Sequence, residues 1–403
     1  MKTQSITRYL ICLLRLNNIM FSSFREKSIL AMEKMAVKKA VAAVIEDDTH
    51  QAVLGHPHVR KFEALLSARL HGASVLAMNS GTDALIGALK VLGIGAGDEV
   101  IVPAFSFIST ASCVGWVGAT PSFVDIRLDD YAMDMAKIEE RITPKTKAII
   151  VAHLYGQPTR GIVDILGIAQ KHNLFVIEDA AQSFGAEIKI NGEWRSVGTL
   201  GDVGCMSFSS TKMFAAPGNA GAFVIKDRAL LEEVGRMRFY GAKVHYYDYP
   251  TIGINSKIHD IQAAALIAKL GFLDYWEKHH RKVADYYSKE LAGVGDLILP
   301  RELPETKGTW CRYVVRTKRR DPLFGSLLKV VKERGPLWWP MKNYPVPLPY
   351  FSAFKGLGHK LGDFPIADLV SQEVISLPMT NYVTTDDAKM VAAAVKEFYG
   401  QGK

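Results

Sequence analysis

Three short segments carry residue types able to hold and transform a carbonyl compound. The first, Asn79-Ser80-Gly81-Thr82-Asp83, stands where a β-rich run gives way to a helical period. A helix N-terminus presents unpaired N–H groups and the positive end of its dipole, so this turn can hold a phosphate. Gly81 allows close approach and Thr82 adds a hydroxyl; the same residues also suit a plain helix cap. The second segment, Val176 to Gln182, puts Asp179 at a strand end that reads as opening into a helix. A carboxylate there can face a cationic ring nitrogen or cap the helix, and Gln182 can reach a cofactor oxygen or close a capping box. The third, Ser207-Phe208-Ser209-Ser210-Thr211-Lys212, is a hydroxyl-rich turn leaving an apolar strand. An amine oriented there can attack an aldehyde while Ser207 offers a donor to a phosphate; taken alone, Lys212 would be a solvated surface cation.

For these segments to meet, strands must end side by side at one edge of a sheet. The pattern predicts strands over Ser74–Met78, Glu99–Val102, Ser122–Val124, Ala148–Ala152, Leu174–Ile177, Gly204–Phe208 and Ala222–Ile225, separated by longer helical stretches. That alternation implies a mainly parallel sheet covered by helices. Ala84, Leu85, Ala88, Leu89 and Leu92 give a helical period over Asp83–Leu92, ended by Gly93, Gly95 and Gly97. A second helical pattern runs from Ile258 to about Leu291, and the texture changes beyond Gly293. The expected architecture is an α/β three-layer α/β/α large domain with a smaller C-terminal α+β domain. Residues 1–34 read as a disordered extension, 35–270 as the large domain and 271–403 as the small one.

With 403 residues, 48% of them hydrophobic, the chain can bury a sizeable core. Its four cysteines are widely spaced, which argues against a disulfide framework or a zinc site and for a reducing, cytoplasmic setting. The net charge of +8 is spread along the chain and suits an anionic small substrate as well as a polyanion. Tyr9 to Phe21 is apolar but too short to span a bilayer. It lacks the usual cleavage signal, and Met20, Met32 and Met35 offer alternative starts. Neither nucleic acid nor membrane is expected as a partner. His153 reads as structural, and His279-His280 as part of a charged helix surface with no metal partner.

Together the segments resemble the DegT-type nucleotide-sugar aminotransferases among the fold-type I pyridoxal-phosphate enzymes. The likeness runs from about Gly55 to the C-terminus and includes Gly97-Asp98-Glu99-Val100-Ile101, Pro103-Ala104-Phe105-Ser106-Phe107, His153-Leu154-Tyr155-Gly156-Gln157-Pro158, Asp260-Ile261-Gln262-Ala263-Ala264 and Gly362-Asp363-Phe364-Pro365. The resemblance implies that Lys212 holds pyridoxal phosphate as a Schiff base and shuttles a proton in catalysis. It implies that Asp179 keeps the ring nitrogen protonated, Gln182 contacts the ring oxygen, and Phe107 stacks on the ring unless it is an ordinary core residue like Phe105. Gly81, Thr82 and Ser207 would hold the phosphate, and Asn255 would reach it from the neighbouring subunit of a homodimer. Lys257 would meet a donor carboxylate or the nucleotide phosphates, or else be a solvated lysine.

The implied reaction moves an amino group from glutamate or glutamine, through pyridoxamine phosphate, to a nucleoside-diphosphate-linked 3-keto or 4-keto 6-deoxy sugar. A cyclitol ketone is a chemically close acceptor. Pyridoxamine-dependent sugar dehydratases share the scaffold but replace the lysine with histidine, so Lys212 argues against them. A regulator that keeps the fold without catalysis is the rival of another class, prompted by the basic charge and the N-terminal extension. Two departures from the family pattern stand out: Gly218-Asn219-Ala220-Gly221 replaces Gly-Glu-Gly-Gly, and Pro349 follows Pro347-Leu348 where relatives carry histidine. Asn191-Gly192 is expected to turn a surface hairpin.

Overall fold

The computed structural model describes residues 23–47, 56–243 and 247–400; the apolar stretch Tyr9 to Phe21 and Met20 lie outside them. Helices are α1 (Ser23–Ile45), α2 (Pro57–Arg69), α3 (Gly81–Val91), α4 (Ser109–Trp116), α5 (Ile162–His172), α6 (Arg228–Met237), α7 (Asp260–Leu270), α8 (Leu273–Glu290), α9 (Arg320–Val331), α10 (Pro365–Glu373) and α11 (Thr385–Phe398). The main sheet is built from β1 (Ser74–Met78), β2 (Glu99–Pro103), β3 (Thr120–Val124), β4 (Thr146–Ala152), β5 (Phe175–Asp179), β8 (Val203–Ser207) and β9 (Gly221–Ile225). Between β5 and β8, strands β6 (Glu187–Ile190) and β7 (Glu193–Ser196) form a hairpin, joined later by β10 (Thr306–Lys307). Its turn is Asn191-Gly192, both at positive φ, the geometry that matches the twist of a two-residue hairpin.

The main sheet has the order β1-β9-β8-β5-β4-β2-β3. Five neighbours, β8 through β3, run parallel, and β9 is antiparallel to both β8 and β1. Hence β1 points the same way as β8, and all the strands except β9 end at one edge. Their near-continuous apolar runs follow from burial on both faces. Val100, Val102, Ala148 and Ile150 pack toward α3 and α4, while the alternating Ile101, Ile149 and Val151 pack on α5. Val75, Ala77, Met206 and Val224 continue that second face onto α2 and α7. The result is a three-layer α/β/α body. A smaller α+β lobe packs α8, α9 and α11 on the antiparallel pair β11 (Tyr313–Arg316) and β12 (Val374–Leu377).

Three expectations are corrected. The helical pattern from Ile258 to Leu291 splits at Gly271-Phe272, because α7 stays on the large lobe whereas α8 crosses out of it. Leu273 and Trp276 at the start of α8 sit in the large-lobe core, and Val283 and Tyr287 further on sit in the small-lobe core. Residues 23–34, expected within a disordered extension, begin α1. Ile29, Met32 and Ala36 pack on the core at helical spacing, and two buried carboxylates fasten the helix. Glu26 accepts from the Thr385 amide at 2.8 Å and hydroxyl at 2.5 Å, and Glu33 accepts from the Trp276 indole. Finally, His279 and His280 are buried instead of facing solvent, bonded to Val383 O and Trp310 O.

Strand β5 places neighbouring carboxylates on opposite faces. Glu178 is fully buried and gathers four donors: His153 Nε2 at 2.9 Å and the N–H groups of Gly198, Leu200 and Gly201 at 2.6–2.8 Å. Since His153 Nδ1 accepts from the Thr159 amide, its proton sits on Nε2. Burial alone would raise the Glu178 pKa, but the hydrogen bonds from His153 and from the Gly201 and Gly198 amides outweigh it and hold it below the usual range. His153 thus anchors the loop over 198–201 and takes no place among the site groups below.

Removing the Glu178 carboxylate strands these donors, so Glu178→Ala should cost about 3–5 kcal/mol in urea unfolding at neutral pH. The depressed folded pKa gives a stabilisation that is full above the ordinary value of about 4.3 and fades as pH falls through the folded value. The gap between wild type and variant should therefore narrow in acid; a gap independent of pH would contradict the assignment.

Candidate active site

Shared strand direction brings the three segments to one sheet edge. At the end of β1, Ser80 caps α3 by accepting from the Asp83 amide at 3.0 Å, so the helix cap expected of that turn is present. A Cβ on Gly81 would lie 2.8 Å from Ser207 Cβ, and one on Gly221 would lie 2.4 Å from Ser80 C. Close approach of the β1, β8 and β9 ends therefore requires glycine at both positions. Thr82 Oγ1 meets Ser109 Oγ at 2.8 Å, tying α3 to the start of α4.

Asp179 ends β5, and the chain then enters a turn leading to the β6–β7 hairpin; the helix expected after it does not form. Helix capping is thereby removed as an explanation for this carboxylate. Thr110 Oγ1 donates to Asp179 Oδ2 at 2.7 Å, and with that proton committed, Ser106 Oγ donates to Thr110 at 2.8 Å. Asp179 Oδ1 accepts from the Ala181 amide at 3.2 Å, leaving lone pairs on both oxygens for a further donor. Gln182 closes no capping box. Its Oε1 accepts from the Tyr155 amide at 2.9 Å and its Nε2 donates to Tyr344 Oη at 2.7 Å.

Lys212 follows β8, which pairs with β5. Its side chain lines a cavity of about 400 Å³ and also a narrow pocket shared with Gln182, Ser207 and Cys311. Burial disfavours the ammonium and lowers the Lys212 pKa; Cys311 and Asp179 pull it upward, and Arg312 adds to the lowering. The amine thus stands within the electrostatic reach of Asp179 and is biased toward the neutral, nucleophilic form. Phe107 is 51% exposed while Phe105 is fully buried. Phe107 is therefore not the core side chain of the pair, and its ring lies 6.1 Å from that of Tyr344, which Gln182 holds.

Gly81, Thr82, Phe107, Asp179, Gln182, Ser207 and Lys212 thus form one constellation through direct contacts or shared partners. Among the described residues neither Asn255 nor Lys257 bonds a member of it, although Ser256 between them donates to Asp83 Oδ2 at 2.6 Å. Asn255 is exposed, and the Lys257 ammonium lies 4.1 Å from the centre of the Phe239 ring. Sequence reading missed Thr110, Tyr344 and Arg312. Thr110 had one faint signal, its helical spacing from Ser106. Tyr344 and Arg312 come from the small lobe and had none, the Tyr344 contact closing over 162 residues.

A model of the DegT/DnrJ/EryC1/StrS aminotransferase family matches residues 33–396. The chain belongs to this family. It is 38% identical, over 85% of its length and 89% of the relative, to a pleiotropic regulatory protein of Geobacillus stearothermophilus. To the dTDP-3-amino-3,4,6-trideoxy-alpha-D-glucose transaminase of Streptomyces venezuelae it is 36% identical, over 89% and 91% of the two chains. The structure of S. venezuelae DesV in complex with a ketimine intermediate superposes with a TM-score of 0.84 at 34% identity, covering 93% of this chain and 97% of that one. Bacillus subtilis NtdA with bound cofactor PMP gives a TM-score of 0.81 at 28% identity, covering 92% and 82%.

In this family member the replaced Gly-Asn-Ala-Gly segment keeps the site's closure. Ala220 is buried and its carbonyl accepts from the Phe208 amide at 2.7 Å, while Gly221 preserves contact with Ser80. Pro349 lies in a short 3₁₀ turn over Leu348–Tyr350, and the Leu348 amide is bonded to Ala104 O at 2.8 Å, beside the Phe105–Phe107 segment.

Competitive reductive methylation of the cofactor-free protein across pH should give Lys212 a labelling midpoint below the ordinary lysine value of about 10.4, unlike exposed lysines such as Lys39. A midpoint matching theirs would remove the buried-amine description.

Proposed function

We propose that the protein is a pyridoxal-phosphate-dependent aminotransferase that aminates a nucleotide-linked keto sugar. The observation that carries this reading is a half-buried amine, Lys212, which lines a cavity of about 400 Å³ and follows the strand paired with the one that Asp179 closes. The residues present fit the cofactor. The α3 N-terminus with Ser207 suits its phosphate, the free lone pairs of Asp179 suit a ring N–H, and the exposed Phe107 suits a ring face. Bound there, pyridoxal phosphate supplies an aldehyde to carry the amino group and a cationic ring to accept electron density.

Each residue's part follows from its surroundings. Lys212 would hold the cofactor through its amine, and that amine would also move a proton at the donor's α-carbon. Asp179 holds a proton on the ring nitrogen, its orientation fixed by Thr110 and Ser106. Gln182, already clamped by Tyr155 and Tyr344, has a second amide hydrogen that would serve the ring oxygen. The net reaction is balanced: the donor carbon is oxidised from amine to ketone, the sugar carbon is reduced from ketone to amine, and glutamate leaves as 2-oxoglutarate. The transaminase names among its relatives, dTDP-linked amino sugars included, support the acceptor class. The regulator rival finds less support, because the constellation around Lys212 has no use in a protein that only binds.

Asn255 completes the phosphate site of a partner subunit in a homodimer, a reading supported by its exposure. A cytoplasmic setting is the reading that the widely spaced cysteines support.

Release of 2-oxoglutarate from glutamate beyond one equivalent per site should depend on a nucleotide-linked 3-keto or 4-keto sugar, and no such release with any of a panel of these sugars would refute the acceptor. Asp179→Asn should keep the cofactor yet lose about 10²–10³-fold in turnover, the scale of removing one preorganised electrostatic group. Unaltered turnover would show that the ring proton is immaterial. Mixing inactive Lys212→Ala and Asn255→Ala subunits should restore activity through hybrid dimers, and persistent inactivity would speak against a shared site.

A further inference from the structure

The aminotransferase reading imposes a demand that none of the assigned residues meets. An amino-acid donor must bring its α-carbon to the position of the Lys212 amine, and its α-carboxylate is one bond from that carbon. An anion-holding group must therefore stand next to Lys212. The phosphates of a sugar nucleotide, by contrast, lie several bonds from the ring carbon that reacts and fall farther out.

The basic residues lining the Lys212 cavity, apart from Lys212 itself, are Lys34, Lys38, Lys269 and Arg312. Lys34 and Lys38 are exposed on the α1 wall, with the Lys34 ammonium 5.3 Å from the centre of the Tyr382 ring. Lys269 faces Glu33 at 3.6 Å. Arg312 differs from all three. It immediately follows Cys311, its amide donates to Tyr155 O at 3.1 Å, and its side chain borders both the Lys212 cavity and an adjoining cavity of about 390 Å³. Among the described residues its guanidinium forms no ion pair, and its one side-chain hydrogen bond goes to the Met341 sulfur at 3.3 Å, a weak acceptor. Its charge nonetheless acts on Lys212, on Tyr155 and on Tyr344, the partner of Gln182. A half-buried guanidinium without a carboxylate is a fork awaiting a planar anion, because five fixed donors match two carboxylate oxygens side by side.

We infer that Arg312 is the carboxylate anchor of the amino donor, binding the α-carboxylate of an amino acid and setting its α-carbon beside Lys212. The role expected for Lys257 toward that carboxylate passes to Arg312, since Lys257 rests on Phe239. The inference depends on the aminotransferase reading, and each half of the reaction can be followed separately in the holoenzyme by the cofactor's absorbance.

With glutamate alone, Arg312→Gln should raise the KM for the donor by about 10- to 100-fold, the loss of a charge-assisted pair. Arg312→Lys, which keeps the charge without the fork, should fall between. With the keto sugar and the amine form of the cofactor, the KM should stay within about threefold of wild type, since that half involves no carboxylate held by Arg312. A simple alkylamine lacking a carboxylate should react equally slowly with wild type and variant. A KM change confined to the sugar half would assign Arg312 to the nucleotide phosphates and overturn the inference, as would unchanged kinetics in both halves or equal loss in both. Failure of the aminotransferase reading itself would look different, since the wild type would then perform neither half.

Discussion

A carboxylate and an amine must be kept at neighbouring strand ends without closing on each other as an ion pair. Asp179 closes β5 and Lys212 follows β8, and the pairing of those strands brings the carboxylate within electrostatic reach of the amine. Neither group neutralises the other by direct contact, so both stay available to a ligand. The carboxylate is fixed from below by Thr110 and Ser106, while the amine is kept toward its neutral form by burial and by Arg312. A sheet buried on both faces makes this possible, because its strands are rigid and all but β9 end at the same edge.

The adjacent carboxylates of β5 show how one strand divides structure from chemistry. Glu178, turned to one face, meets four donors and locks the loop over 198–201. Asp179, turned to the other, has donors that orient it and lone pairs to spare. Had the register slipped by one residue, the exchange of faces would have buried the reactive carboxylate among backbone amides. The small lobe then completes the site from outside the sheet: Tyr344 bonds Gln182, and Arg312 borders the cavity from the segment leading into β11.

The strand positions were legible because burial on both faces leaves apolar runs bounded by turn residues, and each of the seven expected strands formed with ends shifted by at most two residues. The loop residues at the C-terminal edge were legible for the same reason, since Lys212 and Ser207 follow such a run and Asp179 closes one. What local pattern could not supply was direction after the strand. The turn beyond Asp179 was read as a helix, and the break at Gly271-Phe272 was read through. The amphipathic face of α1 was hidden because its anchors, Glu26 and Glu33, are charged residues whose burial makes sense only once Thr385 and Trp276 are beside them. Arg312 and Tyr344 were silent for a similar reason: their significance lies in contacts across lobes.

The central claim, that Lys212 is the amine joined to the cofactor, is tested most directly by loading the protein with pyridoxal phosphate, reducing with borohydride and mapping the modified peptide by mass. The account predicts a single stoichiometric label on Lys212. A label on a different lysine, or no label after reduction, would contradict it.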